Sequence, residues 1–93
     1  MKTIKYNPHK RGFPFKTLKL LYEQGACEEW LIREEIGLED WVAKKGLIYY
    51  QRSKIIFNNL VLGLKEKGLI TQEGDVYQLT DLGINFMKKY EKV

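Results

Sequence analysis

Apolar positions first fall into a helical rhythm at Phe15. Leu18, Leu21 and Tyr22 recur at spacings of three and four, while Lys16 and Lys19 take the other side. This predicts a first helix, opened by Pro14 and closed by Gly25. A second helix is predicted from Glu28 to about Ile36, with Leu31, Ile32 and Ile36 inward and the early acids Glu28 and Glu29 at the positive end of its dipole. Gly37 interrupts it. A further turn or two, Glu39 to Lys45, is expected to present Trp41 and Val42 inward. Leu47-Ile48-Tyr49-Tyr50 then has strand-like composition and leads into Ser53, a residue type that caps helix starts.

The clearest periodicity follows. Phe57, Leu60, Val61 and Leu64 predict a helix from Ser53 to Lys67 that Gly68 terminates. A hairpin comes next, turning on Gly74-Asp75, in which Ile70 and Gln72 should face Leu79 and Tyr77. Thr71 and Gln78 then lie on its opposite face. Thr80 is placed to cap a closing helix, Asp81 to about Glu91, where Leu82, Phe86 and Tyr90 stack at intervals of four. The turn residues Asn7-Pro8 and Gly12-Phe13-Pro14 set residues 1–12 apart as a basic tail and leave 13–93 as one domain. The expected fold class is mainly α with a small β-hairpin.

The segment Asn59-Leu60-Val61-Leu62-Gly63-Leu64-Lys65-Glu66-Lys67-Gly68-Leu69-Ile70, followed by Tyr77-Gln78-Leu79-Thr80-Asp81-Leu82-Gly83, resembles winged-helix (winged helix-turn-helix) DNA-binding proteins. The likeness is to the small archaeal and archaeal-virus members. In those families a recognition helix ends in leucine, three polar residues, glycine and Leu-Ile, and the return strand of the wing runs aromatic-x-Leu-Thr-x-x-Gly into a final helix. Leu64, Gly68, Leu69, Ile70, Tyr77, Leu79, Thr80 and Gly83 match in place. The match covers residues 56–86 well and the first helix loosely. It implies a helical core, a two-stranded wing and a C-terminal helix. It also implies DNA binding, although winged helices serve as protein-contact modules too.

Three departures qualify the resemblance. The wing tip, Glu73-Gly74-Asp75, is short and acidic, so phosphate should repel it. Sixteen residues separate Ile36 from Ser53, which leaves open whether 28–36 or 38–45 supplies the second helix of the helix-turn-helix. On the recognition helix, Ile55 and Leu62 point roughly opposite to Phe57, beside Asn59 and Glu66.

Charge sharpens the functional reading. The chain of 93 residues has a net charge of +4, distributed as +6 over residues 1–22, −6 over 23–40, +5 over 41–72 and −1 over 73–93. Two basic blocks flanking an acidic one suggest a polyanionic partner, with a solvated lysine-rich surface as the plainer alternative. Hydrophobic residues make up 44% of the chain and charged residues 30%, which fits a globular fold. No apolar run is long enough for a bilayer, and none follows Met1-Lys2-Thr3-Ile4-Lys5 to make a secretory signal. The single cysteine, Cys27, excludes an internal disulfide framework and a cysteine-based zinc site. A reducing, cytoplasmic location is expected.

The candidate DNA contacts are Gln51, Arg52, Ser53 and Lys54, with Asn58 and Asn59 one turn on. Cations and a hydroxyl at a helix start can hold phosphates, and asparagine matches the major-groove edge of adenine. Solvated asparagines at a helix start are the alternative. Lys2, Lys5, Lys10 and Arg11 of the tail are expected to track phosphates. Tyr49 and Tyr50 are expected to be one buried and one half-exposed ring. The acids Glu28, Glu29, Glu34, Glu35, Glu39 and Asp40 have no histidine beside them, so a solvated face or a partner contact is expected and a metal site is not. His9 is the only histidine and lies in the tail, which leaves no nucleophile a partner in an ordered element. The expectation is therefore a duplex-DNA-binding regulator with no enzymatic activity, cofactor or small-molecule substrate. The rival class is a protein-interaction module. A homodimer is also expected, contacting through Phe86, Met87 and Tyr90 of the closing helix.

Overall fold

The computed structural model describes residues 8–44 and 49–91. Along them run α1 (Phe13–Gln24), β1 (Cys27–Glu28), α2 (Glu29–Glu35), α3 (Leu38–Lys44), α4 (Tyr49–Glu66), β2 (Ile70–Glu73), β3 (Val76–Leu79) and α5 (Asp81–Glu91). The chain is thus mainly helical, with a small antiparallel sheet of three strands in the order β1-β3-β2.

Local chemistry explains most of these boundaries. Pro14 sits in the first turn of α1, and Gly25 takes φ +85° to end it, its N–H donating to the Leu21 carbonyl. The hairpin has the expected register, Ile70 opposite Leu79 and Gln72 opposite Tyr77. Ile70 and Tyr77 are buried while Thr71 and Gln78 are exposed, as the period of two requires. Thr80 does two jobs at once. Its hydroxyl accepts the N–H of Gly83, capping α5, and donates to the Gly68 carbonyl where the chain leaves α4.

The strand β1 was not foreseen. Cys27 and Glu28 pair with Tyr77 and Val76, so Glu28 is extended and α2 begins at Glu29. Two residues are too short to show any alternation, and only the partner strand reveals them. Both 29–35 and 38–44 are helical, joined through Gly37 at φ +75°.

Three expected orientations are corrected. Trp41 is 42% exposed rather than inward, because Leu38 and Val42, one turn apart, fill the inner stripe of α3; the Trp41 indole meets the Phe13 ring edge-on from the flank, at 5.6 Å. The long helix begins at Tyr49, so Ser53 is no cap; it continues the buried stripe of Phe57, Val61 and Leu64 one turn upstream. Tyr49 and Tyr50 therefore open a helix instead of ending a strand; Leu47 and Ile48 lie outside the described residues. On α5, Leu82 is 40% exposed, and Gly83 and Met87 form the inner seam in its place. Only glycine fits that seam, since a Cβ at position 83 would run into the Leu69 carbonyl.

The core lies where α1, the two short helices, α4 and the sheet converge. Leu18, Ile32, Leu38, Val42, Phe57, Leu69 and Met87 are fully buried. Phe57 meets Tyr77 edge-to-face at 5.6 Å and so joins α4 to the sheet. The expected tail is partly built into the domain. Pro8 is buried, and its carbonyl accepts the Tyr90 hydroxyl at 3.0 Å.

Candidate nucleic-acid interface

With 18 residues, α4 is about 27 Å long at 1.5 Å per residue. Its inner stripe is committed to the core, so only its outer face is available to a ligand. Asn58 and Asn59 are exposed at the middle of that face. Lys54 stands one turn before Asn58, and Lys65 two turns after it. Lys65 reaches the neighbouring hairpin, donating to the Gln72 side chain at 2.7 Å, and Gln72 in turn donates to the Gly74 carbonyl. Lys65 and Gln72 thus join α4 to the hairpin in one polar surface. Ile55 and Leu62, each 51% exposed, interrupt it.

The first turn of α4 differs from the sequence reading. Ser53 is fully buried and accepts a hydrogen bond from Arg33 at 2.7 Å, so it cannot touch a ligand. Lys54 is exposed but engaged, its ammonium 2.8 Å from Glu29. Gln51 and Arg52 are in this turn, their side chains outside the described residues, as are Lys2 and Lys5. Lys10 and Arg11 are exposed, and the Lys10 ammonium lies 5.9 Å from the centre of the Tyr90 ring in the last turn of α5.

Arg33 organises the inner side of this region. Its guanidinium binds Glu29 at 3.0 Å and Glu39 at 2.6 Å, and lies 6.0 Å from the centre of the Phe57 ring. The expectation of a solvated acidic stretch is corrected for these two glutamates, which are ion-paired. Burial pushes the Glu29 carboxyl upward, but hydrogen bonds from Lys54 and Arg33, with the field of both cations, outweigh it and hold the group below the usual carboxylate value. Sequence reasoning missed the hub, although two signals were present. Arg33 is the lone cation among residues 23–40, and it stands four residues after Glu29, the spacing of a helical ion pair.

The remaining chemistry is quiet. Cys27 is buried, and burial, with the Glu35 charge, pushes its thiol up and makes it a poor nucleophile. Among the described residues no group of three or more His, Cys, Asp or Glu could hold a metal ion, and no helix is long and apolar enough to cross a membrane. Met87 is fully buried in its own chain and offers a partner nothing, which removes it as a dimer contact. Phe86 and Tyr90 are half-buried, with Tyr90 against Phe15 at 5.2 Å.

No protein-family model, no curated protein and no solved structure matches the chain.

Proposed function

We propose that this chain is a winged-helix-type protein that binds double-stranded DNA without catalysing a reaction, as a small transcriptional regulator. The exposed Asn58 and Asn59 at the middle of α4 carry the reading, because a helix is the element a major groove admits and asparagine pairs with an adenine edge there. The order of helix, short strand, helices, long helix and hairpin, with the sheet ordered β1-β3-β2, supports it. Lys65, bonded on this face to the neutral Gln72 side chain, keeps its charge for a phosphate two turns from Asn58, whereas Lys54 is committed to Glu29. Site selection on random duplexes, followed by salt titration, tests the proposal. A recovered consensus is expected, and neutralising roughly six phosphates gives a slope of log affinity against log salt near −5. Absence of duplex binding at low salt overturns it.

A second reading has a specific observation of its own. Ile55 and Leu62 stand exposed on the same face, and Trp30 of α2 is 60% exposed, its indole N–H donating to Glu28 at 3.0 Å. With acids at the hairpin tip, this surface suits a protein partner. Heparin affinity separates the two. Retention to high salt favours DNA, and flow-through favours the protein-interaction module.

A further inference from the structure

A second basic surface lies where the residues leading into α1 meet the last turn of α5. Pro8 is held by the Tyr90 hydroxyl, Gly12 donates to the His9 carbonyl at 2.9 Å, and Phe15 packs on Tyr90. These contacts lay the first turn of α1 against the last turn of α5. Lys10, its ammonium 5.9 Å from the centre of the Tyr90 ring, and Arg11 beside it thereby come to the turn of α5 that carries Lys88 and Lys89, all four exposed. Among the described residues none of the four has a carboxylate partner. Residues 8–22 and 82–90 contain no acid, and Glu91 is the one that follows.

Fold stability alone does not account for this arrangement. Lys88 and Lys89 suit the negative end of α5, but Lys10 and Arg11 stand at the positive end of α1, whose first turn has no acid. Cations placed against a helix dipole and against one another cost the free protein stability, and a polyanion relieves that cost. The rings beneath them pack on each other, and the Tyr90 hydroxyl is occupied by Pro8, so base stacking is not what this end offers. Point charges on flexible stems fit phosphates.

We propose that the α1–α5 end is a second, sequence-independent surface for the phosphate backbone of duplex DNA, apart from the face of α4. The inference rests on the chain being a duplex binder, but not on which residues of α4 read bases.

The test measures the full-length chain binding fluorescent duplexes of consensus and scrambled sequence, across a salt series. Three variants are compared with the parent: K88Q/K89Q, K10Q/R11Q and N58A/N59A. Circular dichroism checks that each stays helical. K88Q/K89Q and K10Q/R11Q are each expected to weaken consensus and scrambled duplexes alike and to make the salt slope shallower by about 2, from roughly 0.9 per phosphate. A fourfold rise in salt then costs the parent about twelvefold more affinity than either variant. N58A/N59A keeps the slope and loses the preference for consensus. Parental affinity and slope in both lysine and arginine variants overturn the second surface while leaving the α4 reading intact. A preference for consensus that survives N58A/N59A overturns the α4 reading alone. If the parent binds no duplex at low salt, both fall.

Discussion

The Arg33 guanidinium donates to the Ser53 hydroxyl at 2.7 Å, tying α2 to a helix twenty residues further along the chain. The same guanidinium holds Glu29 and Glu39, so one side chain fastens α2, α3 and α4 together beneath the candidate DNA-binding face. Buried or half-buried polar groups of this kind cost more when orphaned than they contribute when paired. Replacing Arg33 with Met should therefore destabilise the fold by about 2 kcal/mol, since Glu39 and the buried Ser53 hydroxyl lose this donor and Glu29 keeps Lys54 but not Arg33. Ser53→Ala removes only the smaller partner and should cost about 1 kcal/mol. Urea denaturation of both variants checks the ranking; equal stability of Arg33→Met and the parent would contradict it.

Glu29 sets an acid-side limit on stability. Its folded pKa is depressed below the ordinary glutamate value of 4.5, so its contribution is fully present above that value and is lost as pH falls through the lower folded value. Glu29→Gln should lose stability by a constant amount above about pH 5 and converge with the parent below the folded pKa. Urea midpoints measured across this range check it, and a difference that grows on acidification would refute the sign.

Met87→Glu distinguishes core from interface. Because Met87 is fully buried in its own chain, the charge should unfold the protein, with loss of the helical signal, and not release a folded monomer. Met87→Ala should cost about 2–5 kcal/mol, whereas Leu82→Ala, on the exposed side of α5, should change stability by about 0.5 kcal/mol or less. Thermal melts of the two alanine variants give the comparison.

Glycines give a paired test with opposite signs. A Cβ at Gly63 meets nothing within 4 Å, so Gly63→Ala in the interior of α4 should stabilise by about 0.5–1 kcal/mol. At Gly83 the added carbon meets the Leu69 backbone, which can yield only by moving α5 away from β2, and Gly83→Ala should destabilise by about 2 kcal/mol. Denaturant midpoints moving in the same direction would contradict the packing of α5.

Where periodicity extends over several turns or strand residues, the sequence by itself determined the outcome. The stripe of Phe57, Val61 and Leu64, the exit at Gly68, the register of Ile70 with Leu79 and the cap at Thr80 were all legible, because each is set by local geometry within about a dozen residues. The exposure of Asn58 and Asn59 followed from the same stripe. What only the tertiary structure decided depends on partners distant in the chain. Cys27-Glu28 become a strand because β3 is there to pair with them. Ser53 lies inside α4 because the helix begins a turn earlier, at Tyr49, and Arg33 from α2 donates to its buried hydroxyl there. Lys54 is drawn to Glu29 by a helix that folds over it, so a cation read as free for phosphate is already engaged. Met87 and Leu82 exchange roles because Gly83 lets α5 approach Leu69, a rotation that no spacing of apolar residues specifies. Periodicity names a helix and its stripe, while which flank of that stripe reaches the core is settled by close packing against neighbours that the pattern does not contain.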